Sequence, residues 1–356
     1  MARTCTDVIE RLADKHTLSA QEYRILLLDD DADDCAFLQE MARRASVGVF
    51  GNGVFVRGLI EVSNHCRNNC LYCGIRAANT ELNRYRLSRE DIVSCCARGY
   101  ELGFRTFVLQ GGEDAAQTDE WVCDVVGTIR DSYPDCAITL SLGEKSEASY
   151  RSFKAAGADR YLLRHETFNL DHYALLHPAG MSRERRLDCL RALKEAGFQT
   201  GTGFMVGSPY QTVDTLVEDI MFIQDLRPEM IGIGPFVHHN STPFAAMPDG
   251  SVALTHKLIS IFRLMDPCAL IPATTSLATL DPSARGKAVL AGANVVMPNL
   301  TPAGNRQSYD LYEGKASSGA ESAEGLGELE KELGAIGYEI NFGRGDYDKR
   351  TYLKQA

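Results

Sequence analysis

Three cysteines lie within a dozen residues in the segment SNHCRNNCLYCG, residues 63–74. Cys66, Cys70 and Cys73 have the spacing C-x3-C-x2-C and stand among polar residues, as expected of a loop. Thiolates bind metals, and iron–sulfur clusters are held by cysteine thiolates at such short spacings. Three protein ligands leave one iron of a [4Fe–4S] cluster open to a small molecule. We therefore predict one [4Fe–4S] cluster on these three cysteines.

Two other interpretations of this cysteine loop stay open. A structural zinc ion takes four protein ligands, and a fourth ligand from His65 is sterically awkward because adjacent side chains in a turn diverge. The other is a coincidental grouping of thiols. The remaining cysteines stand among apolar neighbours, where cysteine behaves as a small hydrophobic residue. They are Cys5, Cys35, Cys95, Cys96, Cys123, Cys136, Cys189 and Cys268, and we assign them no function.

Composition excludes several classes of protein. The chain has 356 residues, 44% of them hydrophobic, so it can bury a large core. It has no run of about 18 uncharged apolar residues, and its first residues lack an apolar signal core. We predict a cytoplasmic protein without a membrane span, whose cysteines are thiols. A net charge of −11 opposes contact with phosphate backbones, so nucleic acid is not an expected partner.

Short apolar runs recur along the chain after residue 52, each followed by a polar loop and a helical stretch. The eight runs are 56–63, 105–112, 137–143, 160–166, 200–207, 230–237, 269–276 and 293–300. Repeated strand–helix units predict an α/β fold, a parallel (β/α)8 TIM-type barrel. A doubly wound sheet is the structural alternative, but no G-x-G-x-x-G follows the first strand.

The barrel divides the chain into three predicted segments. Residues 1–51 have apolar residues at helical spacing and form an N-terminal helical extension, with a capping signature at 17–21. Residues 52–313 form the barrel, and residues 314–356 form a small C-terminal appendage. The Ser/Gly/Ala-rich stretch 315–326 is predicted to be a flexible surface loop.

Polar and sulfur-bearing residues follow the predicted strands at the end where barrel active sites lie. Besides the cysteine loop, these are Gln110, Gly112, Glu113, Ser141, Arg164, Glu166, Met205, Thr274, Thr275 and Met297. Arg164 and Glu166 are two apart on a strand, so both point to one face. A charge pair at a barrel mouth meets either a polar ligand or only its own partner. We favour a ligand.

The cysteine spacing, with Tyr72 before the last cysteine, resembles the radical S-adenosylmethionine (SAM) superfamily. Gln110-Gly-Gly-Glu113 resembles its second-strand loop, whose residues hydrogen-bond the methionine amino group of SAM. The resemblance implies a [4Fe–4S] cluster, S-adenosyl-L-methionine, an external electron donor and reductive cleavage of SAM to a 5′-deoxyadenosyl radical. The implied cofactor-binding residues are Tyr72, Gln110, Gly112, Glu113, Ser141, Arg164, Glu166, Arg186 and Met205.

Within that superfamily, most of the chain resembles the family of the [FeFe]-hydrogenase maturase HydE. Segments that carry the resemblance are TLSLGE, RYLLRHET, TGTGFMVGSPYQT, IPATT and VVMPNLTP. It implies a role in hydrogenase H-cluster maturation on an iron–cysteine carbonyl/cyanide complex, with other hydrogenase maturases as partners. The implied substrate chamber is lined by Thr274, Thr275, Met297, Tyr309 and Tyr312. This set carries hydroxyls but no strong charge, whereas a lysine substrate would call for charged partners.

Three alternatives to this function stay open. Methylornithine synthase and a biotin-synthase-like enzyme share the architecture, and the latter needs a second cluster in the barrel. A non-enzymatic iron–sulfur carrier would have no need of the Gln110–Glu113 loop or of Arg164 and Glu166. Some HydE lineages carry a second cluster near the C-terminus. Here no cysteine follows Cys268, so no second cluster is expected there.

Overall fold

The N-terminal segment is helical, as predicted, in the computed structural model, which describes residues 4–348. Its helices are α1 (Cys5–Lys15), α2 (Ala20–Leu28) and α3 (Ala32–Phe50). Ser19 caps α2 in a capping box with Glu22. Within the predicted helical extension, the helix is interrupted at 29–31, because Asp31 accepts hydrogen bonds from the backbone amides of Asp33 and Asp34 and begins a new helix.

A parallel sheet follows in the strand order β2-β3-β4-β5-β6-β8. The strands are β1 (Gly53–Val56), β2 (Gly58–Ser63), β3 (Thr106–Gly111), β4 (Ala137–Ser141), β5 (Arg160–Leu162), β6 (Gln199–Thr202), β7 (Met205–Val206), β8 (Met230–Ile231), β9 (Gly234–Pro235), β10 (Val295–Val296) and β11 (Glu339–Asn341). Each of the eight predicted strand segments contributes a strand or a bridge segment to the barrel. The predicted fold class is confirmed.

The seventh and eighth predicted strand segments, 269–276 and 293–300, close the barrel through short backbone pairings. Met230 bridges to Leu270, and Pro272 bridges to Val295. The backbone amide of Leu300 donates to the carbonyl of Leu59, and β10 pairs with β1. The seventh predicted strand segment, 269–276, is therefore joined to the barrel by isolated bridges and does not form a full strand.

Helices cover the outside of the barrel. They are α4 (Arg89–Glu101), α5 (Asp119–Ser132), α6 (Glu147–Ala155), α7 (Leu170–Leu176), α8 (Arg183–Glu195), α9 (Val213–Leu226), α10 (Val252–Met265), α11 (Thr275–Leu280), α12 (Ala284–Leu290), α13 (Ala303–Arg306) and α14 (Leu326–Ala335). Of these, α9 packs against α2 and α10 packs against α3. Within residues 4–348, no helix is long and apolar enough to cross a membrane.

The C-terminal segment packs against the barrel. β11 pairs with β1, and Arg160, fully buried, donates to the carbonyls of Arg344 and Gly345 and to the carboxylate of Asp346. These contacts cover the end of the barrel opposite the cysteine loop. Residues 349–356 of the predicted appendage, and residues 1–3, lie outside the described residues. The boundaries at 52 and 314 stay a prediction.

The prediction that 315–326 is a flexible surface loop is wrong. The stretch contains two 3-10 turns, Gly319–Glu321 and Ala323–Gly325, and Ala320, Glu321, Ser322 and Ala323 are buried. Ser322 forms a β-bridge with Asn299, which lies in the eighth predicted strand segment. Small residues are placed here because the segment packs closely against the barrel, a tertiary contact that composition does not reveal.

Candidate active site

A cavity of about 350 Å³ opens at the carboxyl ends of the strands. That volume is within the range of small-molecule sites. Every site residue named from the sequence lines it: Cys66, Cys70, Cys73, Tyr72, Gln110, Gly112, Glu113, Ser141, Arg164, Glu166, Arg186, Met205, Thr274, Thr275, Met297, Tyr309 and Tyr312. The structure therefore brings the whole predicted set together. The role of each residue stays a prediction.

The cysteine loop follows β2 and is held by side chains that the sequence analysis did not select. The guanidinium of Arg84 donates to the backbone carbonyls of Asn64, Ile75, Arg76 and Asn79. Gly74 donates its amide hydrogen to the carbonyl of Leu311. The loop is thus fixed from both sides without using the thiols.

From its position two residues before Cys66, Asn64 is expected to donate hydrogen bonds to the sulfides of a cluster. The structure assigns its amide differently, because both Nδ2 hydrogens go to the carbonyls of Asn83 and Ser308 and Oδ1 accepts from the amide of Tyr85. Asn64 is completely buried. Its side chain braces the loop, and that expectation is wrong. Asn68, which lines the cavity, keeps this possibility.

Burial disfavours the thiolate form of the three cysteines. It raises the pKa of Cys70 to about 12, and it also raises the pKa of Cys66 and Cys73. A metal cation reverses this preference, since a coordinating thiol is deprotonated by the bound charge. Three partly buried thiols on one cavity wall therefore fit a cationic iron centre.

The spread of the thiols distinguishes a cluster from a single ion. Ligand sulfurs around one tetrahedral zinc, at about 2.3 Å from the metal, stand about 3.8 Å apart. Among the residues that the structure describes, Cys66, Cys70 and Cys73 do not form a group whose sulfurs all lie within 4.8 Å of one another. The arrangement favours the larger iron–sulfur cluster over zinc.

The loop after β3 packs directly on the cysteine loop. A Cβ on Gly112 would stand 2.7 Å from the Cβ of Cys66. Glu113 accepts from the amide of Glu144 (2.9 Å) and pairs with Arg67 (3.0 Å). Gly143 has φ +74°, and a Cβ there would stand 2.6 Å from the Glu113 carboxyl carbon. Glycines at these positions let Glu113 reach the cavity beside the cysteines.

The predicted charge pair forms at the exit of β5. Arg164 Nη2 donates to Glu166 Oε2 at 2.8 Å, and Glu166 has the left-handed φ of +66°. The pair is not self-contained, because the buried Nε of Arg164 has no hydrogen-bond partner. This unsatisfied donor on the cavity wall favours a polar ligand over an isolated ion pair.

Arg186 extends the same polar wall. It is only 7% exposed, donates to Glu144 (2.6 Å) and to the carbonyl of Arg164 (2.6 Å). Arg186 is therefore not a solvated charge on the surface of α8. Nearby, the hydroxyl of Tyr72 lies 3.3 Å from Nε2 of His177, which orients the ring at the cavity.

The deeper chamber is more charged than predicted. Thr275 donates to the carboxylate of Glu321 (2.6 Å), which pairs with Arg285. Glu61 and Lys315 line the cavity and form an ion pair. The expectation of a chamber without strong charge is wrong. The sequence contained an indication that Glu61 belongs to the site, because it is the one acidic residue in the strand GLIEVS, whose other residues are apolar or small.

Comparisons with known proteins agree with this geometry. A family model for the radical SAM superfamily matches residues 60–223. The chain is 46% identical over 265 residues to the [FeFe] hydrogenase maturase subunit HydE of Thermotoga maritima, covering 74% of this chain and 75% of that protein. It is 29% identical over 290 residues to a 3-methylornithine synthase of Methanosarcina acetivorans, covering 81% of each. A solved methylornithine synthase superposes with a TM-score of 0.82 over 98% of this chain and 100% of the other; at 23% identity this likeness shows the fold alone.

Proposed function

The chain belongs to the radical SAM superfamily and, within it, to the family of the maturase HydE, and from this premise we propose that it acts in hydrogenase maturation on an iron–cysteine carbonyl/cyanide complex. The observation that carries the proposal is one continuous cavity at the carboxyl ends of the strands. It holds three cysteine thiols, the Arg164–Glu166 wall and a deeper chamber of hydroxyl and charged groups. A carrier of clusters would not need the last two.

The superfamily uses a [4Fe–4S] cluster and S-adenosylmethionine. When bound and reduced, this pair supplies cleavage of SAM to methionine and a 5′-deoxyadenosyl radical. We assign Cys66, Cys70 and Cys73 to the cluster. The chain's own contribution is orientation and exclusion of water, since the radical chemistry belongs to the cofactors.

We assign the polar wall to binding of SAM. Glu113, held by the amide of Glu144, offers an acceptor beside the cysteine loop for the methionine ammonium. The free Nε of Arg164 and the carboxylate of Glu166 match a carboxylate and a ribose diol. Buried charged groups need such partners, because leaving a buried charge unpaired is costly.

The substrate and partners rest on the family membership. The 46% identity to the [FeFe] hydrogenase maturase subunit HydE of Thermotoga maritima supports a substrate and partners that belong to hydrogenase maturation. An external electron donor is required, because reductive cleavage of SAM consumes an electron. Among the residues described, no second set of cysteines lines the cavity. The same observation disfavours a biotin-synthase-like sulfur insertion, which needs a second cluster.

A methylornithine synthase is the second candidate, and the charged pair Glu61–Lys315 in the chamber favours it more than the sequence did. Anaerobic measurement of 5′-deoxyadenosine separates the two. The dithionite-reduced holoenzyme is incubated with SAM and either the iron–cysteine carbonyl/cyanide complex or L-lysine. We expect the iron complex to raise the rate and lysine to leave it unchanged. Lysine-dependent formation of methylornithine would overturn the proposal.

A further inference from the structure

Glu61 and Lys315 come from opposite ends of the barrel sequence and meet inside it. Glu61 lies on β2, two residues before the strand ends, and is completely buried. Lys315 lies after the eighth predicted strand segment, 293–300, and its ammonium pairs with Glu61 Oε1. The pair lies deeper in the barrel than the cysteine loop, on the wall of the same cavity.

The ion pair does not satisfy all the hydrogen-bonding groups of either side chain. Glu61 Oε2 is buried and accepts no hydrogen bond of good geometry, and the Asn299 side chain is the polar neighbour of the carboxylate besides Lys315. An ammonium has three donors, and that of Lys315 makes one hydrogen bond, to Glu61, while it stands 5.0 Å from the centre of the Tyr309 ring. The lysine side chain is 9% exposed. One carboxylate oxygen of Glu61 and the Lys315 donors that Glu61 does not use therefore stand side by side in the wall of the chamber.

Desolvation makes such a pair expensive for stability alone. Buried ion pairs are often replaceable by apolar residues without loss, unless the remaining polar atoms are satisfied. Here the pair sits against a cavity large enough for a small molecule, and a ligand that carries both charges would satisfy both residues. An α-amino acid group has an ammonium and a carboxylate on one carbon, which matches adjacent opposite charges.

We infer that Glu61 and Lys315 together bind the amino-acid end of the substrate, with Lys315 on the carboxylate and Glu61 Oε2 on the ammonium. This inference rests on the proposed function in one respect: an iron-bound cysteine carries such a group. It names the residues that recognise that group, and the Arg164–Glu166 wall is left to SAM. The remainder of the substrate then points toward Tyr309 and the thiol-bearing loop.

The test compares ligands that lack one charge. Binding to the SAM-loaded holoenzyme is measured anaerobically by calorimetry for L-cysteine, cysteamine without the carboxylate and 3-mercaptopropionate without the amine, free and as their iron carbonyl/cyanide complexes. For the wild-type protein, we expect removal of the carboxylate to weaken binding about 10- to 100-fold. For Lys315→Met, the same removal should change binding less than threefold. Glu61→Gln should show the matching loss of discrimination for the amine.

Control variants keep the result decisive. Lys331→Met, on the exposed surface of α14, should discriminate like the wild type. If Lys315→Met misfolds because Glu61 is left unpaired, the double variant Glu61→Gln/Lys315→Met removes both charges and gives the same comparison. An equal loss for all three ligands in these variants, or unchanged discrimination, would refute the assignment.

The failure of the proposed function has a different signature. If the iron complexes do not bind the wild type, the series is repeated with L-lysine and its decarboxylated form, cadaverine. Loss of carboxylate discrimination in Lys315→Met then supports the pair as an amino-acid site for another substrate. Discrimination that survives in the variant contradicts it.

Discussion

Gly112 lies so close to Cys66 that a methyl group on it would stand 2.7 Å from the cysteine Cβ. Real Cβ contacts are not that short, and the neighbouring atoms are backbone of the cysteine loop. The loop after β3 and the cysteine loop are therefore positioned as one unit.

Gly112→Ala should displace the cysteine loop. We expect reconstituted protein to bind less than half of the wild-type iron, measured by iron analysis and absorbance. Gly127→Ala is the matched control, because a Cβ there meets nothing within 4 Å and the residue lies within α5. That change should stabilise the helix by about 0.5–1 kcal/mol. Full iron content in Gly112→Ala would show that the two loops adjust independently.

The three loop cysteines should account for all bound iron. Anaerobic reconstitution should give about four irons per chain. Cys66→Ala, Cys70→Ala or Cys73→Ala should abolish the cluster, whereas Cys95→Ala, buried on α4, should retain it. Iron and sulfide analysis with electron paramagnetic resonance makes the comparison. A second cluster at comparable occupancy would contradict the assignment.

The polar wall should matter for SAM and not for the cluster. Glu113→Ala, Arg164→Ala and Glu166→Ala should each keep the iron but weaken SAM by about 10- to 100-fold, as expected for loss of about 1.5–3 kcal/mol from a charge-assisted hydrogen bond. Anaerobic calorimetry measures this. Arg151→Ala, exposed on α6, is the control. Unchanged affinity in all three variants would mean that SAM binds elsewhere.

Arg84 should set the shape of the cysteine loop. Its guanidinium holds four backbone carbonyls on either side of the loop. Arg84→Met leaves those acceptors without donors, so we expect slower cluster assembly and faster loss of iron to a chelator. Arg84→Lys should rescue little, because an ammonium cannot reproduce the planar fork. Chelator kinetics equal to wild type would show that the loop is held without Arg84.

His256 should make stability depend on pH. Burial between α10 and α12 lowers its pKa from the ordinary 6.5, and Nε2 lies 3.0 Å from the carbonyl of Ala284. The neutral form is thus favoured in the folded state. Below about pH 6.5 the unfolded chain binds a proton that the folded chain resists, so stability falls as pH falls, by at most about 1.4 kcal/mol per pH unit.

His256→Gln should flatten this dependence. Thermal unfolding of wild type and variant at pH 7.5 and 5.5 measures the difference. His238→Gln, at a partly exposed site beside Asp249, serves as the control. An equal pH slope in wild type and His256→Gln would exclude His256 as its source.

The barrel was predictable because its apolar runs are regular, and the cavity residues followed since strand exits meet at one mouth. Arg84 was not, because its role is hydrogen bonding to backbone carbonyls, which leaves no spacing pattern. Lys315 was missed for a related reason. It stands in a stretch of small and polar residues typical of loops, and its pairing with Glu61, 254 residues earlier, is a tertiary contact that the local sequence does not reveal.

Asn64 shows the opposite limit. Its position near Cys66 suggested a contact with sulfur. Instead, the side-chain amide of Asn64 donates to the backbone carbonyls of Asn83 and Ser308. Residue type and position identified the loop correctly. Which partner an amide finds depends on segments that arrive from elsewhere in the chain.

The contact between Gly74 and Leu311 has a consequence for biosynthesis. The thiols are translated about 240 residues before the segment that covers them, and ribosomes add about 5–20 residues per second. The cysteine loop therefore emerges from the ribosome roughly 10–50 s before its cover. During that interval the thiols are open to oxidants and to competing metals. We therefore expect iron loading to depend on the reducing capacity around the nascent chain as well as on the finished barrel.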